Sequence, residues 1–402
     1  MLDFKIKKTH FLNSDKMVPS LTFRELISRR LMIIPSACPE LLKPIIPDVG
    51  TKLKFGWKSS KEIETSGIIN QENLDVAKDY SIALIDTGVV KDHPALNVVD
   101  SLSCNGNPKD KYDKHGHGTH IAGILAARQW QYDDNYQIEG MAPGAPIVSF
   151  KVCSRGDSST TWCLIADALA RVLNYNEESH KTKISVVNLS FNGLDNLKWN
   201  SENGIDSVLS NILKLYEEHI PVVVSGGNYF DKFRKYGLAY PANYTKTIAC
   251  GAACCDGYVQ TRNHGSKRME PNDLSPFTQR PAPKSGIKNF FTAPAIMTIS
   301  TAIEPPGKYS VLSGSSMAAP IVTGIIFILQ QWAKQNNKYG MKLPPIDNIR
   351  KALINGSDKP NNEGDSEFRN GVRRSAPFFI KEEKYNHINS ANILREFKEI
   401  TQ

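Results

Sequence analysis

Residues 81–88 read Ser-Ile-Ala-Leu-Ile-Asp-Thr-Gly. The run Ser81–Ile85 is too short for an ordinary helix, is rich in apolar side chains and stops at a Thr-Gly turn signal, so it predicts a buried strand. Asp86 then sits at the strand's carboxyl end. Similar segments follow at Ile147–Val152 (IVSFKV), Ile184–Leu189 (ISVVNL), Ile220–Val224 (IPVVV) and Thr247–Gly251 (TIACG). Helical patterns lie over Gly118–Arg128, Thr161–Asn174, Gly204–His219 and Ser316–Trp332. Near-continuous apolar strands separated by amphipathic helices mean a parallel sheet covered on both faces. The predicted fold class is α/β: three layers, a mostly parallel central sheet and helices on both faces, plus an N-terminal extension. In such sheets, reactive groups gather at the carboxyl ends of the strands.

The composition agrees with one large domain. Of 402 residues, 40% are hydrophobic and 22% charged, which excludes a largely disordered chain. The net charge is 49 − 41 = +8. Residues 1–61 hold twelve Lys/Arg against five Asp/Glu, so +7 of the +8 lies there and the rest is nearly neutral. That argues against a nucleic-acid-binding main domain. Residues 1–75 form an extension with five prolines, in which Thr22-x-x-Glu25 reads as a capping box and Phe23, Leu26, Ile27, Leu31 and Ile34 as one helix face. Residues 76–402 form the main domain. The longest apolar run, Ala318–Leu329, contains Pro320 and falls short of the ~20 residues of a membrane span, so it reads as a buried helix. Residues 261–289 and 355–374 read as long surface loops. Seven cysteines, an odd number without a CxxC pair, point to free thiols in a reducing compartment. The start MLDFKIKKTHFLNSDK has cations but no apolar signal-peptide run behind them.

Three polar residues stand at strand ends or helix starts, each beside small residues. They are Asp86 in Asp86-Thr87-Gly88, His117 in His117-Gly118-Thr119-His120, and Ser316 in Gly314-Ser315-Ser316-Met317-Ala318-Ala319-Pro320. A serine hydroxyl needs a base to take its proton, and the base needs a partner that fixes its tautomer. Ser316 would attack, His117 would carry the proton and Asp86 would orient the imidazole. Asn228, in Ser225-Gly226-Gly227-Asn228, offers an amide donor for a developing oxyanion. Each residue also has a plain reading. Asp86 and Asn228 suit turns, and Ser315 and Ser316 suit helix caps. His115, His117 and His120 have H-x-H-x-x-H spacing, but no Cys or acid at ligand spacing completes a metal site. The plain readings leave the shared order unexplained.

The order Asp…His…Ser is that of the subtilisins. DTG, HGTHIAG and GSSMAAP resemble the three subtilase signatures, and the resemblance runs over roughly Leu74 to Phe397. It implies a serine endopeptidase with Asp86, His117 and Ser316 as triad and Asn228 as oxyanion donor. It further implies that Ser190, Phe191 and Asn192 on one side, and Ser225, Gly226 and Gly227 on the other, line the substrate cleft. Backbone there would pair with an extended peptide. Phe191, Ala239 and the glycines suggest an apolar pocket. Asn192 stands where the family often has Gly and would narrow or polarise the cleft.

The resemblance implies no cofactor for the chemistry. Calcium is a structural ion in many members, but a usual ligand position, the acid of His-Pro-Asp-Leu, is Ala95 here, which weakens a hard-cation site. The implied partners are polypeptide substrates, with no nucleic acid and no membrane. The extension resembles that of intracellular subtilisins more than a secreted pro-domain. Ile33-Ile34-Pro35 or Ile45-Ile46-Pro47 would lie across the cleft as an inhibitory segment, since proline near a scissile bond resists cleavage. A cytoplasmic location fits, with secretion by a non-standard route as the alternative. Two rival functions share the scaffold: a peptide acyl transferase or macrocyclase, and a non-catalytic, peptide-binding pseudoprotease.

Overall fold

The computed structural model describes residues 79–402 except 129, 132–136, 154–157, 179, 181, 194–204, 231–234, 254–256, 262–264, 270–273, 283–284, 297, 304–308, 341, 360–365, 370–371 and 376–384. The extension, with its expected helix and two Ile-Pro segments, lies outside the described residues, as do Cys254 and Cys255.

Eight strands form one sheet: β1 (Tyr80–Asp86), β2 (Val98–Ser103), β3 (Ile147–Lys151), β4 (Lys183–Leu189), β5 (Val222–Ser225), β6 (Ile248–Ala253), β7 (Phe290–Pro294) and β8 (Asn386–His387). Their order is β8-β7-β6-β5-β4-β1-β3-β2, and all seven neighbouring pairs are parallel. The sequence predicts β1, β3, β4, β5 and β6 but not β2, β7 or β8. From β1 the chain moves to β2 and β3 on one side and then crosses to β4 on the other. That reversal opens a crevice at the carboxyl ends of β1 and β4.

Among the described residues six helices cover the sheet: α1 (His117–Ala126), α2 (Trp162–Glu177), α3 (Ile205–Glu217), α4 (Ser315–Gln335), α5 (Ile346–Gly356) and α6 (Ser390–Ile400). Strand alternation divides the core into two halves. Ile82 and Leu84 pack with α1, α4, α5 and α6 through Ile121, Ile325, Leu353 and Phe397. Ala83 and Ile85 pack on the other face with α2 and α3 through Leu169, Val172 and Ile212. These are the expected three layers. By length and composition α4 could cross a membrane, but it is the buried central helix of one layer.

Two expected loops are corrected. Within 261–289, Gly265–Met269 pairs antiparallel with Gly257–Thr261, and Leu274, Ser275, Phe277, Thr278, Gln279 and Arg280 are buried. Several of their polar atoms are bonded internally, Thr278 Oγ1 accepting from the Ala252 N–H at 2.9 Å and the Arg280 guanidinium donating to the Thr278 carbonyl at 2.6 Å, so polar composition conceals the burial. Within 355–374, α5 runs to Gly356, and Ser366–Arg369 pairs antiparallel with Val372–Ser375. The intervening Asn370-Gly371 is a recognisable hairpin signal. Among the described residues Cys104 and Cys250 are free thiols, both buried. Phe290 and Phe291 are core.

Two buried histidines make stability pH-dependent. Burial, aided by the neighbouring His117, lowers the His120 pKa to about 3. Burial lowers that of His387 to about 4, against the opposing pull of Asp358. The unfolded chain takes up these protons below ~6.5 while the folded chain does not, so stability falls as pH drops from there. At pH 5 the loss should be on the order of 2 kcal/mol for each histidine. Denaturant unfolding of the Ser316→Ala variant, which avoids self-cleavage, should show this between pH 7 and 5; a flat profile would refute it.

Candidate active site

Asp86 ends β1 with its side chain fully buried. Its Oδ1 accepts from the Thr87 N–H at 2.7 Å and lies 2.8 Å from His117 Nδ1. An ionised carboxylate only accepts, so Nδ1 carries the proton and Nε2 of the neutral ring is left as the acceptor. His117 is the first residue of α1. Gly118 permits the close packing, because a Cβ there would overlap the Gly88 carbonyl and lie 3.1 Å from Asp86 Oδ1. Burial lowers the His117 pKa, but the charge and hydrogen bond of Asp86, with the charge of Asp113, outweigh it and hold the pKa above its ordinary value.

Sequence reading missed Asp113. Its buried carboxylate accepts five hydrogen bonds. Oδ1 takes Thr87 Oγ1 (3.0 Å) and the His115 and Gly116 N–H groups (both 2.9 Å), and Oδ2 takes the Thr119 N–H (2.9 Å) and Oγ1 (2.6 Å). It thereby ties the end of β1 to both sides of His117. The available signal was an acid followed by a Gly-containing turn, which suits a side chain that bonds nearby amides. The same loop is anchored by Asp110, whose Oδ1 lies 3.1 Å from the buried Lys151 Nζ.

Ser316 lies in the first turn of α4. Pro320 has no N–H for the Ser316 carbonyl four residues earlier, and the Ser190 hydroxyl donates to that carbonyl instead at 3.0 Å. In return, the Ser316 hydroxyl donates to the Ser190 carbonyl at 3.2 Å. That bond occupies the hydroxyl in place of one to His117. The His117 ring centroid lies 6.4 Å from that of Phe191, the residue after Ser190. Asn228 Oδ1 accepts from the Ser315 N–H at 2.8 Å, which fixes the amide plane. Gly314 makes room for its other end, since a Cβ there would stand 3.0 Å from Asn228 Nδ2. Ser315 Oγ accepts from the Gly227 N–H at 3.1 Å.

All ten residues singled out from the sequence therefore meet in one place. Ser190, Phe191 and Asn192 follow β4; Ser225, Gly226, Gly227 and Asn228 end or follow β5; Asp86 ends β1, His117 opens α1 and Ser316 lies in the first turn of α4. Asn192 Nδ2 donates to Ser225 Oγ at 2.8 Å. The histidines do not converge on a metal, because His117 Nδ1 is held by Asp86 and His120 Nδ1 by Ser310. Among the described residues no group of three His, Cys, Asp or Glu could hold a metal ion. Ala95 puts a buried methyl where a calcium ligand was in question, so that position does not fit the ion.

Comparison with known proteins agrees with this geometry. Residues 77–372 match the model of the subtilase family, peptidase family S8. The chain is 27% identical over 246 residues to subtilisin DY of Bacillus licheniformis, covering 61% of this chain and 74% of that protein. It is 27% identical over 269 residues to the major intracellular serine protease of Bacillus subtilis (64% and 70% covered). To an intracellular serine protease of Paenibacillus polymyxa it is 26% identical over 313 residues (75% and 81% covered). With the fold, the site and a family match over most of its length, the chain belongs to the subtilase family of serine-type endopeptidases.

Proposed function

We propose that Asp86, His117 and Ser316 are the catalytic triad of an endopeptidase acting on extended polypeptides, with Asn228 as oxyanion donor. The 2.8 Å contact between the buried Asp86 carboxylate and His117 Nδ1, beside the start of α4, carries this reading. Rotation about the Ser316 Cα–Cβ bond moves the hydroxyl from the Ser190 carbonyl toward His117 Nε2. The oxygen then attacks the scissile carbonyl carbon as its proton passes to Nε2. The carbonyl oxygen becomes an oxyanion, stabilised by Asn228 Nδ2 and the α4 amides. Collapse expels the amine, which takes the proton from Nε2 and leaves an acyl ester on Ser316. Water, deprotonated by His117, attacks that ester and releases the acid and the free hydroxyl. No cofactor enters any step.

Residues 76–402 constitute the peptidase domain in this reading, and residues 1–75 an inhibitory or pro-segment. The intracellular relatives and the free thiols support a cytoplasmic location.

A fluorophosphonate should label the wild-type protein once, at Ser316, and should not label Ser316→Ala. Labelling of that variant would move the nucleophile elsewhere, and no labelling of the wild type, either intact or after residues 1–75 are cut away, would favour a pseudoprotease.

His117 must be neutral to accept a proton. Its pKa is raised, so kcat/KM should fall as pH drops through a value above 6.5. Activity unchanged from pH 9 to 5 would contradict that role.

Asp113→Asn leaves at least one Thr119 donor without its acceptor and removes a charge that raises the His117 pKa. The acid limb should move down toward 6.5, and kcat should fall about tenfold or more as the imidazole loses its alignment. A purely structural Asp113 would lower stability and leave the limb in place.

A further inference from the structure

Beside Ser316 the sheet opens into a slot. Pairing between β4 and β5 runs to Leu189 and Val224 and then stops. Beyond it Ser190–Gly193 forms one wall and Ser225–Gly227 the other. Residues 237–240 join the two below: the Gly193 N–H donates to the Tyr240 carbonyl at 2.9 Å, and the Ala239 N–H to the Gly226 carbonyl at 2.9 Å. The Ala239 methyl fills the floor, since a Cβ on Gly227 would meet it at 2.9 Å. Across this slot runs the Asn192 Nδ2 to Ser225 Oγ bond of 2.8 Å.

We propose that this cross-wall bond makes the slot selective for a small, uncharged side chain (Gly, Ala or Ser) on the acyl side of the cleaved bond. The inference rests on the peptidase reading above and adds the substrate class. A bulkier side chain needs the walls to part or the bond to break. The walls are fixed. Gly193 is held by Tyr240 and backed by the Trp162 indole, which a Cβ there would strike. Trp162 is itself set edge-on against Tyr240 at 4.6 Å. On the far side Ser225 is fully buried, and the Gly226 N–H donates to the Cys250 carbonyl at 2.7 Å. Only the Asn192 side chain can yield, and doing so would strand polar groups against the incoming apolar one.

The test compares succinyl-Ala-Ala-Pro-Ala-p-nitroanilide with its Phe counterpart on the full chain. The wild type should show the higher kcat/KM for Ala. Asn192→Gly should raise the Phe:Ala ratio about tenfold or more, the scale on which pocket size discriminates. Ser225→Ala, which leaves Asn192 in place without its anchor, should move the ratio the same way by less. A wild type that prefers Phe, or a ratio within about twofold of wild type in Asn192→Gly, overturns the proposal while fluorophosphonate labelling at Ser316 leaves the peptidase reading standing. Neither cleavage nor labelling in the wild type overturns both.

Discussion

A carboxylate fully withdrawn from water at a strand end is costly unless its charge is answered. Asp86 offsets part of that cost at Oδ1, with the Thr87 N–H and the His117 imidazole, while Oδ2 has no hydrogen-bond partner among the described residues. The bond to His117 also fixes which nitrogen carries the proton and therefore which can accept one. Because the Asp86 carboxylate is buried, the interaction is strong enough to keep the imidazole's proton affinity above its ordinary value. Loss of this bond would leave a buried charge and a ring free to turn, and the chemistry assigned to Ser316 would have no base.

The architecture exists around that bond by necessity. A parallel sheet places all its carboxyl ends on one edge, and its crossover helices begin at that edge. β1 contributes Asp86 and β5 leads to Asn228, while α1 opens with His117 and α4 with Ser315 and Ser316. Both helix N-termini direct their positive ends to the same region, which suits an oxyanion. Pro320 is part of this arrangement. By leaving the Ser316 carbonyl without a helical partner, it allows Ser190 to bond across from the neighbouring wall. One helix defect thus joins the backbone of Ser316 to the segment that follows β4.

Much of this was readable beforehand. Continuous apolar runs such as Ser81–Ile85 and Ile184–Leu189 can hardly be anything but buried strands, and the small residues beside Asp86, His117 and Ser316 mark close approach. What was hidden depends on distance in the chain. Asp113 sits in an irregular loop, and its importance arises from Thr87, 26 residues earlier, and from the backbone on both sides of His117. β8 is two residues long and is held between the edge of β7 and a backbone bridge from His387 to Asp358, both distant in the chain. The stretch 274–280 reads as exposed from its polar composition, yet it is buried, with Thr278 and Arg280 bonded to carbonyls and amides of the protein. The reciprocal bonds of Ser190 and Ser316 could not be read from either segment alone.

The central claim is that the imidazole serves Ser316, although the hydroxyl rests on the Ser190 carbonyl. A crystal structure of the protein with a peptidyl phosphonate bound tests it directly. The account predicts a covalent bond to Ser316 Oγ, His117 Nε2 within ~3 Å of that oxygen, and the phosphoryl oxygen within ~3 Å of Asn228 Nδ2. A phosphonate attached to another residue, or an imidazole still turned from Ser316 in the adduct, would contradict it.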